Sequence, residues 1–152
     1  MRAMSAGHGL AACAIGLLTV VGLTSGCTGG VGGSGGGCPS GTANPAATVS
    51  YSRDIVPILQ NVGCMALGCH GGFASASGYD VTTYRGVFGA GTEAQSLGVC
   101  DVVPGDANRS YLMEKLRGNP RQGVQMPQGR APLSSSELTM FQTWITEGAA
   151  NN

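Results

Sequence analysis

Residues 64 to 70 read Cys64-Met65-Ala66-Leu67-Gly68-Cys69-His70. Two thiols and an imidazole fall within one short segment, and the histidine directly follows the second cysteine. What these side chains hold decides the fold, because the chain around them is poorly equipped to close on apolar side chains alone. Its 152 residues include 27 Gly and 7 Pro, and only 5% are aromatic. A small domain of that composition buries a modest share of its surface and needs a cofactor or covalent staples.

Three chemistries suit the segment. In a c-type haem site two cysteines add to the vinyl groups, and the adjacent histidine falls beneath the iron as proximal ligand. The usual gap between the cysteines is two residues; here it is four, Met65 to Gly68. The wider gap needs a bulged loop, which Gly68 eases through its freedom at positive φ. A local Cys64–Cys69 disulfide is the second reading. Zinc is the third, although adjacent Cys69 and His70 are badly placed for one tetrahedral ion and no fourth ligand is evident.

Working outward, the N-terminus reads as an export signal over residues 1 to 26. Arg2 is its only charge, and the apolar run from Leu10 to Leu23 falls short of the roughly 20 residues of a membrane-spanning helix. Leu23-Thr24-Ser25-Gly26-Cys27 resembles a lipobox, which implies a lipid on Cys27 and a membrane contact through that anchor. Residues 27 to 47 are expected as a linker whose first part, Thr28 to Gly37, is a flexible Gly/Ser tether. The folded domain is then expected over residues 48 to 152.

Export places the chain where disulfides persist. Beyond Cys27 it carries Cys38, Cys64, Cys69 and Cys100, which allow three pairings as a pure disulfide framework. If Cys64 and Cys69 form thioethers, Cys38 and Cys100 remain to pair. With the signal removed, seven basic residues face eight acidic ones, so no basic excess points to nucleic acid. Five of the seven, Arg109, Lys115, Arg117, Arg121 and Arg130, fall in one stretch. They are expected as a solvated face, or as a patch meeting haem propionates or an acidic redox partner.

The folded part reads as all-α. Residues 52 to 62 predict a helix capped by Ser52, with Asp54 at its positive end and Ile55, Ile58, Leu59 and Val62 on one face. Residues 82 to 88 allow at most a short helix before Gly89 and Gly91 break the chain. Residues 107 to 117 predict a further helix stopped by Gly118. In the last element Ser134 and Glu137 make a capping-box pattern ahead of Leu138, Phe141, Trp144 and Ile145, with Gly148 at its end.

His8 lies in the signal, so His70 is the only histidine of the mature chain and a second axial ligand must be of another type. Met126, in a loop and stiffened by Pro127, is the candidate. Met113 and Met140 fall within predicted helices and are expected as core filling. Met65 lies inside the attachment segment, on the wrong side.

Taken in order, the motifs resemble the cytochrome c-like domains of planctomycete and myxobacterial exported proteins. The resembling stretch, residues 51 to 149, opens with Tyr51-Ser52-Arg53-Asp54-Ile55-Val56-Pro57-Ile58-Leu59 and passes to Cys64…Cys69-His70-Gly71-Gly72. Val103-Pro104-Gly105-Asp106 with Ser110-Tyr111-Leu112 follows. Met126-Pro127, Leu133-Ser134 and Trp144-Ile145-Glu147-Gly148-Ala149 complete the set, with Thr146 between Ile145 and Glu147. The resemblance implies a small electron-transfer module with one covalent haem c. Cys64 and Cys69 would carry the thioethers, His70 the proximal and Met126 the distal iron position. Its partner would be a redox protein and its place the periplasmic side of the cell envelope, anchored in the inner or outer membrane. No acid–base pair or nucleophile constellation suggests an enzyme. The competing expectation is a haem-free, disulfide-stapled binding or structural lipoprotein.

Overall fold

The computed structural model describes residues 37–152; the expected signal, Cys27 and nearly all of the tether lie outside the described residues. Among the described residues there is no strand, only an isolated bridge between Leu67 and Gly71. The fold is helical, as the periodicities imply. No described helix is long and apolar enough to cross a membrane.

The opening helix, α1, starts with a π-helical turn over Tyr51–Ile55 and continues as an α-helix over Val56–Asn61. Pro57 explains the wide first turn. It has no N–H to give, and its ring would crowd the carbonyl four residues back in a regular α-turn. The cap is Ser50, not the expected Ser52: the Arg53 amide donates to Ser50 Oγ at 3.2 Å, and the Ser50 amide to Asp54 Oδ2 at 2.7 Å. Ser52 Oγ instead donates to the Asn152 carbonyl at 2.7 Å, tying the helix to the C-terminus.

A short 3-10 helix over Ala76–Gly78 and four α-helices follow: α2 (Tyr84–Val87), α3 (Thr92–Leu97), α4 (Tyr111–Arg117) and α5 (Ser135–Thr146). The α3 helix corrects the sequence reading, in which Gly91 is a breaker; Gly91 is its N-cap. The α4 helix begins four residues later than expected. Asp106 Oδ1 accepts the amides of Asn108 and Arg109, each at 3.1 Å, which holds that stretch in a side-chain-stabilised turn. The capping box of α5 forms as expected, but the helix ends at Thr146 and Gly148 follows one residue past the C-cap Glu147.

The core joins α1, α4 and α5. Ile55, Val87, Met113, Phe141, Trp144 and Ile145 are fully buried. Tyr51 lies 5.5 Å from the Trp144 ring and 5.1 Å, edge on, from Tyr84. Met113 fills the core as expected, whereas Met140 is exposed on the outer face of α5.

Residues 41 to 47, expected as linker, belong to this body. The Thr42 amide donates to the Gly148 carbonyl at 2.9 Å, and Asn44 Nδ2 to that of Glu147 at 2.8 Å. Glu147 in turn accepts from the Thr48 hydroxyl and from the amides of Thr48 and Val49, which hold its carboxyl below the usual range. Cys38 is disulfide-bonded to Cys100, closing a loop of sequence separation 62 between the N-terminal segment and the chain after α3.

Candidate functional site

Where α1 ends, Gly63 turns the chain at φ +79°, and the Cys64 amide donates to the Leu59 carbonyl at 2.8 Å. The next residues form a tight loop. Ala66 N–H donates to Gly63 O, Cys69 N–H to Ala66 O, and His70 N–H to Cys64 O, at 3.2, 3.0 and 3.0 Å. Gly68 sits at φ +82°, the left-handed conformation that the four-residue gap requires. Cys64 and Cys69 are free thiols, so the local disulfide is not formed. Burial is the main influence on the Cys64 thiol and pushes it up to about 11, with Cys69 nearby adding to the rise. It is therefore a protonated thiol at neutral pH, and a poor partner for thiolate-driven disulfide exchange.

His70 is oriented by the chain beyond it. Its Nδ1 lies 2.9 Å from the Tyr79 carbonyl, and its ring stacks edge-on to that of Tyr79 at 5.5 Å. A carbonyl can only accept, so Nδ1 carries the hydrogen, and in the neutral ring Nε2 keeps its lone pair for a ligand. The His70 carbonyl accepts from Val81 N–H at 2.9 Å, locking the backbone on the other side. Tyr79 is itself buried, and its hydroxyl donates to the Val87 carbonyl of α2 at 2.9 Å.

Met126 arrives from the loop after α4, where its amide donates to the Lys115 carbonyl at 2.9 Å. It is half-buried and packs against the core. Cys64, Cys69, His70 and Met126 all line one cleft, together with Pro127, Gln128 and Arg130. Cys64, His70 and Met126 also wall a second cleft, whose other lining is largely apolar and includes Leu59, Val81, Ala94, Leu112 and Leu116. The structure thus brings together all four residues singled out in the sequence. Met65 lies partly buried against the core.

The second cleft contains a polar group that the sequence reading missed. Lys115 is buried at 7% exposure and donates to Glu93 Oε2 at 2.6 Å. The Tyr111 hydroxyl donates to the Gln122 carbonyl at 2.6 Å, and Asp101 Oδ2 accepts the Gly91 amide at 2.8 Å. The expected solvated basic face is therefore wrong for Lys115. Arg121 is exposed and pairs with Glu114 at 2.7 Å, while Arg130 lies over Gly63 at the mouth of the first cleft. One signal for Lys115 was present: it stands four residues after Tyr111 and three after Leu112, on the inner face of α4.

The donors present are of the types that would hold a haem. Two free thiols, one histidine with an available Nε2 and one thioether line one largely apolar cleft. No group of three or more His, Cys, Asp or Glu side chains among the described residues is placed to hold a metal directly. Compared with family models, curated proteins and solved structures, the chain has no match.

Proposed function

We propose that the chain is a c-type cytochrome domain that holds one covalent haem at Cys64, Cys69 and His70 and passes single electrons. The convergence of Cys64, Cys69, His70 and Met126 on one cleft carries this reading. When bound, haem supplies reversible one-electron chemistry, and the residues of the chain attach, orient and shield it. Each cysteine would add its S–H across a vinyl group: Sγ bonds one carbon, the hydrogen goes to the other, and nothing leaves. His70 would give Nε2 to the iron while Nδ1–H stays on Tyr79 O, which fixes the ring and raises its basicity. Met126 Sδ would supply a further ligand to the iron, and a methionine ligand raises the potential.

The function extends to a setting. A lipid on Cys27 would anchor the domain on the periplasmic side of the cell envelope, and a redox protein would be its partner, with no substrate chemistry of its own. The Cys38–Cys100 disulfide supports an oxidising compartment. The cytochrome c-like character of the helical domain belongs to the same proposal.

Expression of the full chain in a host that matures c-type cytochromes tests it. Intact mass should rise by one haem, and the pyridine haemochrome spectrum should report covalent attachment. Cys64→Ala/Cys69→Ala should abolish that gain, and Met126→Ala should keep the haem but lower its potential. A full-length product without covalent haem overturns the proposal.

A further inference from the structure

Two carboxylates line the clefts around His70, Glu93 and Asp101, and among the described residues only Asp101 has no cationic partner. It is 5% exposed and lines the second cleft with Cys64, His70 and Met126. Only one of its oxygens is engaged, Oδ2 with the Gly91 amide; no hydrogen bond reaches Oδ1 among the described residues. Titratable groups face it from three directions: Tyr79 from the segment before α2, Glu93 from α3, and Tyr111 and Lys115 from α4. The one cation of this group is already committed, because Lys115 Nζ sits 2.6 Å from Glu93 Oε2. Lys115, by donating to Glu93, holds that carboxyl low and ionised.

We propose that Asp101 is a redox-linked proton site, taking up a proton from water when the domain accepts an electron and releasing it on reoxidation. The inference rests on the haem reading above. The balance is simple. A one-electron donor protein supplies the electron, water supplies H⁺, and the Asp101 carboxylate becomes a carboxylic acid; oxidation by the next carrier reverses both. Reduction removes one positive charge from the site. An unpaired carboxylate in a largely apolar cleft then loses an attraction that had favoured its ionised form. Burial already places the Asp101 carboxyl up at about 6, so a modest change in nearby charge moves it through the neutral range. Glu93 cannot serve, being held ionised by its lysine, and the Tyr79 and Tyr111 hydroxyls are both raised away from neutrality by burial.

The test is the midpoint potential of the haem-loaded full chain from about pH 5 to about pH 8. It should fall as pH rises, approaching the limit of about 59 mV per tenfold change in proton concentration for one proton per electron. Asp101→Asn should flatten that dependence while leaving the covalent haem and its spectrum in place. Redox-difference infrared spectroscopy of the unmutated protein should show a protonated carboxyl band growing on reduction, which holds the proposal to account even if Asp101→Asn fails to fold. A flat profile, an unchanged slope in Asp101→Asn, or the lack of that band overturns it. Failure of haem attachment is seen earlier, in mass and haemochrome, and overturns the underlying reading instead.

Discussion

At Asp101 one side chain links stability to pH in a direction opposite to most carboxylates. Its unfolded value is 3.8 and its folded value about 6, so the folded chain holds the proton longer. The stability that the neutral acid contributes is complete below the unfolded value and is lost as pH rises through about 6, roughly 3 kcal/mol in all. Asp101→Asn in the full chain should therefore be more stable than the unmutated protein at neutral pH and lose that advantage near pH 4; equal stability at both would contradict the buried, unpaired state. A second buried group is mismatched in another way. The Tyr51 hydroxyl has no hydrogen-bond partner among the described residues, although its ring packs between Tyr84 and Trp144. Removing an unsatisfied polar atom while keeping the ring should be neutral or stabilising by about 1 kcal/mol. Urea unfolding of Tyr51→Phe reads this directly, and a loss of more than about 1 kcal/mol would mean that a water or a folded-state partner satisfies the hydroxyl.

Elements differ in how far their own residues determine them, and α5 is the most self-contained. The Glu137 amide donates to Ser134 Oγ at 3.3 Å, and the Ser134 amide to Glu137 Oε2 at 2.8 Å. Ser134→Ala should cost about 1 kcal/mol and Ser134→Gly only a few tenths, a contrast that thermal unfolding resolves in a domain of this size. Equal losses in both would put the stabilisation in the packing of Phe141, Trp144 and Ile145 alone. The same local logic made α5 and most of α1 legible in the sequence, because cap and apolar face lie within a few residues of each other. It failed where the deciding partner is distant or belongs to the backbone. Gly91 looks like a break until its role as the cap of α3 is seen. The start of α4 is set by Asp106 outside it. Lys115 reads as a surface residue because the carboxylate that permits its burial, Glu93, stands 22 positions away. Cys64, Cys69, His70 and Met126 were legible as types and spacings, and their common cleft is a property of the tertiary structure alone.

At the scale of the described residues, the segment from Thr42 to Ser52 is bonded to the C-terminal residues. Thr42, Asn44 and Thr48 bond to the turn after α5, and Ser50 and Ser52 to Asn152. The Cys38–Cys100 bridge extends these links to the segment between α3 and α4, which carries Asp101. Closing a loop of separation 62 lowers the entropy of the unfolded chain by an amount worth about 4 kcal/mol, a large share of the stability of a small domain. Cys38→Ser/Cys100→Ser should lower the denaturant midpoint by a corresponding amount. The same loss should follow from treating the unmutated protein with a thiol reductant, because thioethers are not reducible by thiols and Cys38–Cys100 is the one disulfide among the described residues. The comparison therefore separates the cytochrome reading from the disulfide-stapled one. If Cys64 and Cys69 carry haem, the reduced protein matches the double serine variant in stability and keeps its haem spectrum. If they are instead joined to each other in the mature protein, reductant destabilises the unmutated protein beyond the double variant, and adding reductant to that variant weakens it further.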